Sequence, residues 1–133
     1  MGLDSISLLN FDEKWEVTKS PMRIFTMGKT SLPSTSKVGN VSTQGKGYAI
    51  SFKNDGKTRQ LEFFMVEFKD GKKIEGKINL FDEPKESMVI CTPFDKEGCF
   101  YYNQKINCMK CSGYVKLGDS EIKIDDSFSG TLD

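Results

Sequence analysis

The sequence predicts an all-β protein, an antiparallel meander that forms a barrel or a strongly curved and incomplete sheet. Three observations carry this. Apolar and polar residues alternate in short runs, as with Tyr48, Ile50 and Phe52 against Ala49, Ser51 and Lys53. Turn clusters such as Asn54-Asp55-Gly56 and Asp70-Gly71 separate the runs at hairpin spacing. No apolar pattern persists at helical spacing.

Taken in order, 13–18 and 22–27 each read as a short strand. The Gly/Ser/Pro-rich stretch 28–37 reads as a connector, because too little chain precedes it to build a second core. The 48–53 strand stops at the Asn-Asp-Gly turn. In 58–68, Leu61, Phe63 and Met65 fall on one face and Phe64, Val66 and Phe68 on the other, so both faces call for cover. Gly71 supplies the positive φ that a tight turn requires, and Ile74, Gly76, Ile78 and Leu80 then alternate with Glu75, Lys77 and Asn79. The span 58–80 is therefore one long hairpin. Pro84 interrupts the pattern, 87–92 resumes it and Pro93 ends it. The next strand covers 98–105. A second hairpin turns at Gly118-Asp119-Ser120, with Ile122 and Ile124 directed inward.

A chain of 133 residues makes one domain, 1–133. Nineteen basic residues balance nineteen acidic ones, so no net field draws a polyanion and nucleic acid is not an expected partner. No run approaches the roughly 18 apolar residues of a spanning helix, so no membrane span is expected. Asp4 stands where a secretory leader carries Lys or Arg, and Ile6 stands where a myristoylation signal needs Ser or Thr. The expected location is cytoplasmic, and the four cysteines, Cys91, Cys99, Cys108 and Cys111, are expected as reduced thiols. The chain has no histidine, which removes Ser-His-Asp and Cys-His catalysis and every imidazole ligand or base.

The remaining chemistry is sparse. Cys108 and Cys111 have CxxC spacing, but a structural zinc site needs a second pair, and on a strand residues three apart face opposite ways. They read as small buried hydrophobes, and neither a metal nor a cofactor is expected. Asp125 and Asp126 diverge unless a turn intervenes, and Glu62 and Glu67 lie on the long hairpin. The stretch 100–111 is more unusual, mixing aromatics with amides and an ammonium. On a strand, Phe100, Tyr102, Gln104 and Ile106 share one face, while Tyr101, Asn103, Lys105 and Asn107 share the other. That second face either looks at solvent or lines a cavity and fixes the polar end of an apolar ligand.

At these residues the chain resembles a known family. PFDKEGCFYYNQKINCMKCSGYVKLGD, followed by DDSFSGTLD, is similar to the pattern of domain of unknown function 2804, and ESMVICTPF and SLPSTSKVGNV fit it as well. The resemblance covers 28–133 and leaves the strands of 1–27 unassigned. Cys111 departs from it, standing where a small residue such as Ala is expected, which weakens CxxC as a functional pair. A Trp-Gly-Arg segment is expected to follow Leu132-Asp133, so the chain reads as a middle portion or truncated member. The family is in turn distantly similar to calycin-like proteins, which enclose an apolar cavity in antiparallel β-structure. The leading expectation is a hydrophobic or lipid-like ligand, with Tyr101, Asn103, Lys105 and Asn107, set on one face by the alternation, as its polar wall. A rival reading is a hydratase or isomerase acting on a lipid or terpenoid, with Asp126 or Asp133 as its acid. A third is self-association through unpaired strand edges, giving a homodimer or exchanged strands.

Overall fold

The computed structural model describes residues 2–3, 5–23, 30–31, 40–81, 86–93 and 99–132, with side chains over 5–21, 40–81, 87–93, 103 and 105–131. All regular structure among them is strand: β1 (Gly2–Leu3), β2 (Ile6–Asn10), β3 (Trp15–Lys19), β4 (Met22–Arg23), β5 (Thr30–Ser31), β6 (Val41–Gly45) and β7 (Tyr48–Asn54). There follow β8 (Arg59–Lys69), β9 (Lys72–Phe81), β10 (Glu86–Pro93), β11 (Cys99–Leu117), β12 (Ser120–Ile124) and β13 (Ser129–Leu132).

The main sheet is antiparallel and curved, with neighbours in the order β5-β6-β7-β8-β9-β11, and it does not close into a barrel among the described residues. The 19-residue β11 organises its far side. Gly113 to Leu117 pair with β9 on one edge and with β12 on the other, while the earlier half pairs with β10 and, over a few residues, with β13.

Register turns the alternation into a continuous apolar face. Tyr48, Met65, Ile74 and Leu117 fall in one cross-strand row. Ile50, Phe63, Gly76 and Val115 form the next, and Phe52, Leu61, Ile78 and Gly113 the third. Such directly opposed pairs are the unit of sheet stabilisation. Phe68, Ile74 and Met109 are each 1% exposed. Burying a side chain of this size contributes roughly 1.5–3 kcal/mol.

Two glycines mark where backbones approach most closely. A Cβ on Gly76 would sit 2.6 Å from Cζ of Phe63, whose ring occupies the space opposite it. Gly113 adopts a φ of 132°, and a Cβ there would run into the carbonyl oxygen of Lys77 on β9.

The hairpin β2–β3 forms its own two-stranded sheet and lies over this face. Its alternation is simple: Ile6, Leu8, Trp15 and Val17 are half-buried, while Ser7, Leu9, Glu16 and Thr18 face out, with Ser7 Oγ and Thr18 Oγ1 2.9 Å apart. Ile6, Leu8 and Val17 pack against the core formed by Tyr48, Met65, Phe68 and Ile74. Trp15 receives the ammonium of Lys69, 5.0 Å from its ring centroid.

Several sequence expectations need correction. Phe68 does not stay with Phe64 and Val66. A register shift between Met65 and Lys69 gives β8 two extra residues there; within it Phe68 enters the core, and Phe64 and Val66 are exposed. The two strands expected at 98–105 and 114–117 are one strand. Ile124 is buried as expected, but Ile122 is 53% exposed, because nothing described covers that end of β12. A turn does separate the acids at 125 and 126, closed by the Phe128 amide donating to the Asp125 carbonyl at 3.0 Å. Strands β2 and β6 were not anticipated at all. The connector expected over 28–37 contains β5, and its other residues lie outside the described set, as do 24–27 of the expected 22–27 strand.

A candidate apolar cleft

The expected polar wall lies on the N-terminal half of β11, which is extended as the alternation requires. Asn103, Lys105 and Asn107 are all half-buried and share one face of the strand. Their cross-strand partners on β10 are Ile90, Met88 and Glu86. The side chain of Tyr101 lies outside the described residues. Ile106, on the opposite face, is 5% exposed and belongs to a core cluster with Leu80, Met109 and Cys111.

Between the two halves of β11 stands Cys108, whose φ of 57° is left-handed. The pairing with β13 shifts register here, between Ile106 and Met109. On a regular strand residues three apart face opposite ways, so this bulge is what lets Ile106 and Met109 enter the same core. It also separates the CxxC cysteines: Cys108 is exposed and Cys111 buried, both as free thiols. Burial, together with the nearby negative charge of Asp125, pushes the Cys111 thiol above its ordinary pKa. Among the described residues no cluster of His, Cys, Asp or Glu is arranged to hold a metal ion. Cys91 is disulfide-bonded, which corrects the expectation of four reduced thiols.

Of the expected acids, Asp126 is exposed in the β12–β13 turn, and Asp133 lies outside the described residues. Asp125 beside it accepts hydrogen bonds from the Ser127 hydroxyl at 2.7 Å and the Ser127 amide at 3.0 Å, which hold its carboxyl below the usual range. It therefore caps a turn as a carboxylate.

An apolar opening lined by described residues lies elsewhere. Beneath the open end of the β2–β3 hairpin runs a cleft of about 340 Å³. Ile6 and Leu8 form its roof, with Ser5 and Ser7 at the edge. Ile50, Leu61, Phe63, Ile74, Ile78 and Val115 form its floor. Its size lies within the ~300–1,000 Å³ common for small-molecule sites, and its lining has the usual character of many apolar groups and few polar ones. None of Asn103, Lys105, Asn107 or Asp126 lines it. The sequence contained its floor, apart from Val115, as the inward halves of three strands, but not its roof, because Ile6 and Leu8 carry too short a pattern to announce a strand.

The profile of one family, described as Domain of unknown function (DUF2804), matches residues 1–133. The match includes the first 27 residues and therefore the hairpin that roofs the cleft. No curated protein and no solved structure matches the chain.

Proposed function

The chain belongs to the family described as Domain of unknown function (DUF2804), and from that premise we propose that it binds a small, largely apolar molecule in the cleft beneath the β2–β3 hairpin. One observation carries the reading: six apolar side chains from four strands converge on an opening that the hairpin roofs with two more. Burial of ligand methylenes would supply the affinity, at about 0.8 kcal/mol for each CH₂ removed from water. The reading is of a binder because the described lining is apolar apart from two serine side chains. A titration with straight-chain alcohols from hexanol to decanol tests it. Affinity should rise about fourfold per added carbon until the cleft is full, as that burial energy dictates. An affinity independent of chain length, or no binding by any of the alcohols, contradicts the reading.

The residues Tyr101, Asn103, Lys105 and Asn107 support a second polar contact surface. Its basis is that two amides and an ammonium lie half-buried together, next to Met88 and Ile90 across the β10–β11 pair. Asn103→Ala and Lys105→Ala should then weaken capture of a ligand far more than they lower the unfolding midpoint. Equal losses would make the residues structural.

A further inference from the structure

The hairpin over the cleft carries one residue at odds with its inner face. Ile6, Leu8, Trp15 and Val17 present apolar groups there, but the next residue on that face of β3 is Lys19, which is exposed and is the cross-strand partner of Ile6. Lys19 lines a second opening, of about 610 Å³, together with Lys46, Tyr48, Met65 and Glu67. Lys46 reaches it from the turn between β6 and β7.

The two openings have no lining residue in common but lie over adjacent rows of the sheet. Tyr48 and Ile50 are neighbours on one face of β7, as are Met65 and Phe63 on β8, and the strands are paired in that register. Residues two apart on a strand are separated by ~7 Å, so the second opening begins one row beyond the first. In the hairpin, Ile6 lines the first opening and its cross-strand partner Lys19 the second. An apolar cleft thus gives way, within one row, to a rim bearing two ammonium groups and the single carboxylate of Glu67. The ion pairs among the described residues are Lys69 with Asp70 and Lys73 with Glu75, so neither Lys19 nor Lys46 is engaged in one. Long lysine stems can lie along the apolar wall while their charges meet at the rim.

We infer that the ligand is a single-chain amphiphile with a compact anionic head group, such as a carboxylate. Its chain lies over Ile50, Leu61, Phe63 and Ile78, and its head lies between Lys19 and Lys46. This inference rests on the apolar cleft proposed above and adds the chemistry of the ligand's polar end. Glu67 limits the net positive charge and so sets the tolerance for a doubly charged head.

Decanoate, decanol and acetate, titrated at low salt and at a pH well above the carboxyl pKa, separate the two claims. Decanoate should bind about three- to tenfold more tightly than decanol, the size expected of two partly exposed charge contacts. The preference should shrink at high salt. Lys19→Gln combined with Lys46→Gln should abolish the preference while leaving decanol affinity unchanged, and Glu67→Gln should enlarge it. Acetate should not displace decanoate. Equal binding of decanoate and decanol by the unaltered protein, or a preference that survives in the double variant, overturns the head-group inference and leaves the cleft standing. Failure of both decanoate and decanol to bind overturns the cleft and the inference together.

Discussion

Gly113→Ala tests whether β9 and β11 are held as closely as the registers require. Gly113 pairs with Ile78 on one side and Ile124 on the other, at a φ of 132°. An alanine there meets two separate penalties. A backbone conformation reserved for glycine costs about 1–3 kcal/mol when a side chain is forced into it. The new methyl would also lie 2.9 Å from the Lys77 carbonyl carbon and 3.2 Å from the Ile78 Cα, and closer still to the Lys77 oxygen. Relief needs β9 to move by on the order of 1 Å, and such overpacking costs about 1–3 kcal/mol. Together the loss is about 2–6 kcal/mol, a large part of the roughly 5–15 kcal/mol typical of a domain. Gly71→Ala is the control, because Gly71 also has positive φ, 73°, but nothing lies within 4 Å of its would-be Cβ. It should lose only about 1–2 kcal/mol. Urea unfolding followed by far-ultraviolet circular dichroism and by the fluorescence of Trp15, the single tryptophan, measures both. If Gly113→Ala loses no more than Gly71→Ala, the close approach of β9 and β11 is wrong.

Two further outcomes follow from the same coordinates. In the native protein an alkylating reagent should modify Cys108 and spare Cys111, whose thiol is buried and shifted upward, while Cys91 should react only after reduction; mass spectrometry of digested protein reads all three. Asp55, Asp70, Glu75 and Asp125 all have carboxyls held below their ordinary values, by the Thr58 and Lys57 amides, by Lys69, by Lys73 and by Ser127 respectively. Because the folded values lie below the unfolded ones, their stabilisation is complete above the unfolded pKa, about 4, and is lost as pH falls through the folded values. Melting temperatures should thus show no pH dependence from these groups between about pH 5 and 7 and should decline below about pH 4. A decline centred near pH 6 would contradict this origin.

The parts of the fold visible in the sequence are those where one local rule acts alone. Ile74 to Leu80 alternates without a break and packs as read, and Gly71 turns the chain where Asp-Gly promises a hairpin. The misread parts are those where a bulge resets the alternation. Phe68 enters the core within a shift that gives β8 two extra residues, and Met109 within one that gives β11 a single extra residue, and nothing in the side-chain pattern marks either in advance. Cys108, a non-glycine residue in left-handed conformation, offers no such mark either. The candidate cleft was half legible for a related reason. Its floor comes from long alternating strands, but its roof depends on the hairpin of 6–19 folding back over the sheet, a tertiary choice that Ile6 and Leu8 do not encode by spacing.

The central claim, an apolar ligand under the β2–β3 hairpin, is tested most directly by methyl nuclear magnetic resonance with added decanol. Saturable shifts should appear at the methyls of Ile6, Leu8, Ile50, Leu61, Ile78 and Val115, with those of the exposed Met88, Val89 and Ile90 unmoved. Shifts confined to the β10 methyls, or none at the cleft while decanol binds elsewhere, would contradict the account.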